Sequence, residues 1–337
     1  MKKFIILIFI AGLIAGGYSY SQNYYQKETT KITNTEFQDV SIRLKWLHQT
    51  QFAGLYTADQ KGYYKDAGLN VSLYPFRYET PPIDEVSAGT IDFGITGADE
   101  LLVARAEGKK LVALAVIYQE NPVVAYTLKT SGLTEPKHFI GKKLGIENNV
   151  NVELVTRAML ADQNVDYDND VTIIPIDYDA TPLIQGEVDI ATGYVINEPL
   201  QAEEAGYPVN IIHPYKYGVS LYADVIFTTE DTIKNNPELV EKFIQATLKG
   251  WDYAIDHQDE AVKYTLMYKD EENIALNYNH QKKLLEKSVP LIKPTKATKI
   301  GQMNYVKWVR TYELLRKYEI IDKDLDVTKA YTTDFIK

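Results

Sequence analysis

Four short stretches of this 337-residue chain carry residue types suited to holding a small molecule. The first runs Trp46, His48, Gln49, Thr50, Gln51, Phe52, with an aromatic face at either end and hydrogen-bonding side chains between. Thr96, Asp99 and Glu100 form the second, Tyr118, Gln119 and Asn121 the third, and Tyr194, Asn197 and Glu198 the fourth. Aromatic walls stack a flat ring, which adds roughly 0.5 to 1.5 kcal/mol beyond area burial. Amides meet the donors and acceptors on a heterocycle's edge, and a carboxylate such as Glu198 accepts from an exocyclic amino group. Burying that charge without its partner is costly, so the wrong ligand is rejected. Each stretch also has a plainer reading. Trp46 and Phe52 could pack beneath their loop, residues 118–121 could simply end a strand, and Glu198 could be an exposed acid in a helix's first turn, where the dipole favours it.

The elements that must position these residues follow from periodicity. Ile42 and Leu44 alternate with Arg43 and Lys45, predicting a strand over 41–46. Phe52, Leu55, Ala58 and Tyr63 then mark a helix that Gly68 stops, and 71–73 begins a second strand. Strand, loop, helix and strand make a βαβ unit, and the loop after its first strand is where open α/β sheets bind ligands. The stretch 87–97 (SAGTIDFGITG) is echoed by 184–194 (IQGEVDIATGY). Both read as a helix end, a glycine, a branched residue, an aspartate and a buried parallel strand opening into a polar loop. Asp92 and Asp189 thus mark equivalent places in two copies of one design.

Further strands are expected at 111–117, 123–128, 142–146, 171–176 and 222–228. Beyond these come helices at 152–159, 280–289 and 303–318, and one from Pro237 through Leu239, Val240, Phe243, Ile244, Leu248, Trp251 and Ile255. Trp251 and Trp308 lie on helical faces and read as packing. Asn148, Asn149 and Asn151 either cap the helix near Val152 or leave its N–H groups to an anion.

The run KWLHQTQFAGLYTADQKGYYKDAGLNV from Lys45 to Val71 resembles the N-terminal signature of the solute receptors that bind the pyrimidine precursor of thiamine. Those receptors are related to alkylsulfonate, taurine and nitrate receptors and to the fungal thiamine-pyrimidine synthases. The resemblance extends from about Ile42 to the C-terminus and implies an α/β, two-lobed periplasmic binding protein fold of type II with a helical C-terminal part. Lobe 1 is then expected over 40–127 plus 221–337, and lobe 2 over 128–220. It also implies that Glu198 matches the family's acidic ligand contact. The synthase branch carries a lysine and a histidine four residues apart where this chain has Thr96 and Glu100. Neither can form a Schiff base or replace imidazole as a substrate, and the synthase's cysteine-rich motif is missing, so the expectation is of no enzyme.

Composition sets the remaining bounds. With 45% hydrophobic and 24% charged residues the chain reads as ordinary globular protein, and a net charge of −10 with no basic stripe argues against nucleic acid. Five scattered histidines and no cysteine leave no metal-ligand spacing, no disulfide and no thiol for a lipid. A basic start at Lys2 and Lys3, an apolar stretch over 4–17, and Ser19 and Ser21 at the −3 and −1 positions of a cleavage site read as a leader over 1–21, with an uncleaved N-terminal anchor as the alternative. A polar linker over 22–39 follows.

The expected function is therefore a periplasmic solute receptor of an ABC importer. It would be exported, not lipidated and monomeric, would need no cofactor, and would hand a hydroxymethyl- or formylaminopyrimidine to a permease and its ATPase. The alternatives are a sensor partnering a membrane kinase or cyclase, or a receptor for a sulfonate, nitrate or riboflavin. Arg77 is the only obvious cation near the candidate loops, too few for an anion clamp.

Overall fold

The computed structural model describes residues 37–147, 150–268 and 276–337. The expected leader, nearly all of the expected linker, and Asn148 and Asn149 lie outside them.

Strands β1 (Gln38–Arg43), β2 (Leu69–Tyr74), β3 (Phe93–Thr96) and β4 (Leu111–Tyr118) form one sheet with a late arrival, and β5 (Val123–Leu128), β6 (Lys143–Glu147), β7 (Thr172–Ile176), β8 (Ile190–Tyr194) and β9 (Val209–Ile212) form a second. The late strand is β10 (Ala223–Thr229). The orders are β2-β1-β3-β10-β4 and β7-β6-β8-β5-β9, so the sheets correspond strand for strand. In each, the strands that carry the echo run parallel to a neighbour, β3 to β1 and β8 to β6. One strand per sheet, β10 or β5, is inserted antiparallel.

The echo has a mechanical cause. Just before β3, the Asp92 carboxylate accepts from the Ser41 N–H (2.8 Å) and hydroxyl (2.6 Å) on β1; just before β8, Asp189 accepts from the Lys143 N–H (2.9 Å) on β6. Each aspartate satisfies an N–H of the neighbouring strand and so fixes its register. Gly89 and Gly186, at the helix ends, have φ of 71° and 75°, the left-handed turn that glycine takes without strain.

Two segments, 119–122 and 213–222, cross between the sheets, and Tyr118 pairs with Ala223 so that they start and finish side by side. The expected boundary at 127/128 falls within β5, all of which lies in the second sheet, so the first crossing precedes Val123. The periodicity reading ran the first strand to Trp46, but it ends at Arg43. From there the chain follows β2 through Leu44 N–H to Tyr74 O (2.8 Å) and Phe76 N–H to Trp46 O (3.0 Å). The expected single helix after it is broken in two, Ala53–Gln60 and Tyr63–Asp66, by Gly62 at φ 74°.

The helix Pro237–Asp256 buries the predicted face of Leu239, Val240, Phe243, Ile244, Leu248 and Trp251. It meets Ala53–Gln60 at a pair of glycines. A methyl group on Gly250 would sit 2.2 Å from the Gly54 carbonyl oxygen, and one on Gly54 would sit 2.1 Å from the Trp251 ring. This contact holds the helix that follows the Trp46 loop against the longest helix among the described residues. Gly250→Ala forces backbone apart there, and overpacking of this kind typically costs about 1 to 3 kcal/mol. Urea unfolding of that variant should show a lower midpoint; an unchanged midpoint would refute the close-packing account.

Candidate functional site

The C-terminal ends of the parallel strands in both sheets face one cavity of about 260 Å³. Lys45 and Trp46 come from the loop after β1, Phe76, Tyr78 and residues 81–83 from the loop after β2, and Ile95, Thr96 and Glu100 from the end of β3 and the helix Ala98–Ala106. The other side has Glu147 from the end of β6, Tyr178 from beyond β7, and Tyr194, Asn197 and Glu198 from β8 and the turn after it; Gln51 completes the wall.

Of the twelve expected contacts, Trp46, Gln51, Thr96, Tyr194, Asn197 and Glu198 share this cavity. The other six do not line it, and the structure gives each another task. Phe52 is 1% exposed within the core. Gln49 donates to Gln51 (2.7 Å). The Tyr118 hydroxyl donates to Ser288 (2.8 Å). Gln119 donates to the carbonyls of Val116 (3.1 Å) and Gln302 (3.0 Å), and Asn121 donates to Asn151 (3.2 Å) and accepts from the Val123 N–H (3.0 Å), so both pin a crossing segment. Asp99 is buried in the first turn of its helix, near Asn151 of the other lobe. His48 meets Tyr56 (2.9 Å), and Thr50 is held by Gln281 through two 2.7 Å hydrogen bonds. Most of the polar loop therefore braces itself against the protein.

Arg77 is exposed and outside the wall, and the cation among the described lining residues is Lys45. Because β1 stops at Arg43, Lys45 is not on a solvent-facing strand position but turns into the cleft. Its Nζ donates to the Tyr194 hydroxyl (3.1 Å), a hydrogen bond between the lobes, and lies 3.9 Å from Asp224. Burial alone would lower its pKa, but Tyr194, Glu100 and Asp224 more than offset this and raise it, so the ammonium stays charged.

Three acids, Glu100, Asp99 and Asp224, interact with this one lysine, and two more, Glu147 and Glu198, line the cavity from the second sheet. Burial, the largest influence on Glu100, pushes it up, yet Lys45, the Thr96 hydroxyl (2.6 Å) and the Gly97 N–H (2.8 Å) outweigh burial and hold it below its ordinary value. Asp99 is pushed up to about 6 by burial and then by Glu100. Asp224, which accepts from Gln51 (2.9 Å), also rises to about 6, by burial. Glu198 rises to about 7 through burial and Asp179, although the Tyr194 N–H (2.8 Å) donates to it. Glu147 is pushed to about 9, by burial and then by Glu198.

The aromatic wall is larger than expected. Trp46 stacks near Phe76 (6.3 Å, 22°) and meets Tyr178 of the other sheet at 5.0 Å, and Phe76 meets Tyr78 edge-on. Arg43 grips Glu85 with Nε (2.5 Å) and Nη2 (3.0 Å) and the Pro75 carbonyl with Nη1 (2.7 Å), which positions the loop carrying Phe76. The rule that marked Thr96 and Tyr194, a side chain at the C-terminal end of a parallel strand, would also have marked Glu147.

A family model described as "NMT1/THI5 like" matches residues 49–261. The chain is 26% identical over 305 residues to "Riboflavin-binding protein RibY" of Chloroflexus aurantiacus, covering 89% of this chain and 86% of that one. It is 24% identical over 253 residues to "Formylaminopyrimidine-binding protein" of Halalkalibacterium halodurans, covering 72% and 76%. The structure of the periplasmic aliphatic sulphonate binding protein SsuA from Escherichia coli superposes with a TM-score of 0.68 at 15% identity, covering 87% and 91%. The fold is that of the two-lobed periplasmic binding proteins, as expected.

The expectation of no enzyme is corrected. A "4-amino-5-hydroxymethyl-2-methylpyrimidine phosphate synthase" of Legionella pneumophila matches with 22% identity over 302 residues, 88% of this chain and 92% of that one. Proteins named as enzymes and proteins named as binders thus match over comparable lengths, and two loop residues do not remove the first class.

The raised carboxyls fix how stability depends on pH. Above about 4.5 the unfolded chain has lost protons that folded Glu198 and Glu147 keep until about 7 and 9, so stability falls as pH rises through those values. Half-buried His213, lowered to about 4 by burial and then Lys216, pulls the other way only below about 6.5. The thermal midpoint of the ligand-free protein should therefore drop by several degrees between pH 6.5 and 9. A flat or rising profile by differential scanning calorimetry would contradict the buried-acid assignment.

Proposed function

The chain belongs to the NMT1/THI5-like family, and from that premise we propose that it is a solute receptor that closes its two lobes on a flat, amino-bearing nitrogen heterocycle of the pyrimidine class. The observation that carries this reading is a cavity walled by both sheets, with the rings of Trp46 and Phe76 stacked from the first sheet's loops and the buried carboxyls of Glu147 and Glu198 contributed by the second. Aromatic faces and acceptors in a dry cleft suit a ring that carries N–H donors. The names of the riboflavin-binding and formylaminopyrimidine-binding relatives support a heterocyclic ligand. At about 260 Å³ the cavity is below the roughly 300 Å³ at which drug-sized pockets begin, which favours one ring over three. A sulfonate or nitrate would meet several acids and one lysine already shared by Glu100, Asp224 and Tyr194, so an anion is disfavoured.

We assign Trp46 to stacking, Gln51, Thr96 and Asn197 to the ring's edge, and Glu198 to its amino group, with Tyr194 closing the cleft from the other lobe. Lobe 1 comprises β1–β4, β10 and the C-terminal helices, and lobe 2 comprises β5–β9. The crossings at 119–122 and 213–222 form the hinge. In this reading the receptor acts as a monomer in the periplasm and delivers its ligand to an ABC permease and ATPase. No described helix is long and apolar enough to cross a membrane.

Isothermal titration against 4-amino-5-hydroxymethyl-2-methylpyrimidine, formylaminopyrimidine, riboflavin, taurine and nitrate tests the reading. A pyrimidine should bind most tightly, and Trp46→Ala should weaken it about tenfold, the loss of stacking plus buried area. Tight binding of taurine or nitrate with none of either pyrimidine would overturn it.

A further inference from the structure

Ring capture as described leaves one buried group at the second lobe's end of the cavity unused. Glu147, the last residue of β6, lines the cavity, is only 2% exposed, and its Oε1 has no hydrogen-bond partner. The Tyr126 hydroxyl of β5 is likewise buried without a partner, and its raised pKa arises from burial and then from Glu198, Glu147 and Asp179. The charged groups facing Glu147 and Glu198 are each other and Asp179 from beyond β7. The lysine of the cavity is engaged by Tyr194, Glu100 and Asp224 instead. Glu198 is held in place: Tyr194 N–H donates to its Oε2, and a side chain at Gly193 would come within 2.7 Å of that oxygen.

An unpaired carboxylate buried beside another keeps a proton, because two adjacent charges in a dry site repel and neither is solvated. With Glu147 protonated and Glu198 ionised, the pair offers one O–H donor next to fixed acceptors. From this juxtaposition we propose that Glu147 is a specificity-determining residue. Beside Glu198 it supplies the donor of a carboxyl pair that selects a ring edge on which a hydrogen-bond donor adjoins an acceptor. A 4-aminopyrimidine has such an edge; a ring with acceptors alone does not. The inference rests on the ring-capture reading above and adds the chemical identity of the edge.

Two single-ring probes separate the possibilities: 4-amino-2-methylpyrimidine, with donor beside acceptor, and 2,4-dimethylpyrimidine, with acceptors alone. By isothermal titration at pH 7, the protein should prefer the amino probe at least tenfold. Glu147→Gln, which retains a donor and an acceptor but cannot titrate, should hold the amino probe within threefold of the unmodified protein, and Glu147→Leu, which removes the donor to the ring nitrogen, should weaken it at least fivefold. Between pH 8 and 10 the protein's affinity for the amino probe should fall at least tenfold as Glu147 loses its proton, while that of Glu147→Gln changes less than threefold. Equal binding of both probes, or a loss of less than fivefold in the affinity of Glu147→Leu for the amino probe, would overturn the pair's role and leave ring capture intact. Failure of either probe or any pyrimidine to bind would overturn both. Should Glu147→Leu not fold, the pH profile of Glu147→Gln decides: a profile as steep as that of the unmodified protein sinks the proposal.

Discussion

The structure depends on a concentration of buried acid that one lysine does not neutralise. Glu100, Asp99 and Asp224 are withdrawn from water around Lys45, Glu147 and Glu198 are withdrawn on the second sheet's side of the cavity, and burial is the leading influence on every one of them. An isolated buried carboxylate is among the most unfavourable groups a protein can hold, so a fold retains such a set only if the rest over-determines its geometry. Asp224 shows this most directly. It sits at φ 47° at the start of β10, a left-handed conformation uncommon outside glycine, with its carboxylate on Gln51 and near Lys45. Strain, desolvation and the second crossing meet at this one residue.

The bracing is of two kinds. Within each lobe, Asp92 and Asp189 tie the central strands to their neighbours, and the Gly54 and Gly250 contact seats the first helix. Between the lobes, the apolar core is continuous: Val195, Ile196 and Leu200 of the second lobe pack into the cluster that contains Leu284 and Leu285. The helix Glu198–Glu204 is further paired to Tyr278–Ile292, since Glu204 meets His280 (2.8 Å) and Lys283 (3.1 Å) and Glu203 meets Lys287 (3.2 Å). Glu198 opens that helix. A group on the cavity wall therefore shares one short helix with the contacts that join the two lobes.

Much of this was legible in the sequence because it is periodic. The alternation of β1, the helical stripe from Leu239 to Trp251 and the repeated glycine–aspartate–strand pattern each reflect a physical period, and the two-sheet fold follows from them. Six of the twelve expected contacts, Trp46, Gln51, Thr96, Tyr194, Asn197 and Glu198, line the cavity, where the rule that loops at strand ends meet ligands puts them. The same rule placed Phe52, Tyr118, Gln119 and Asn121 wrongly on the wall, because aromatics and amides are equally what a protein uses to pack and pin its own loops and hinges. Lys45 was hidden by a strand that stops three residues early, a boundary set by pairing with β2 and not by pattern. Phe76 and Tyr178 come from loops with no periodic signal, and their approach to Trp46 exists only once two sheets are brought together.

The Thr96 and Glu100 pair shows what the fold leaves undecided. These side chains, four residues apart across the end of β3 and the next helix, touch at 2.6 Å inside the cavity. Two groups at such positions are held in contact by the scaffold whatever their chemistry, since the strand end and the first helical turn fix both backbones. In this chain the contact is a hydroxyl donating to a carboxylate, which lowers the acid and helps hold Lys45. Relatives named as synthases and relatives named as binders match this chain over comparable lengths, so the shared fold by itself does not separate capture from chemistry.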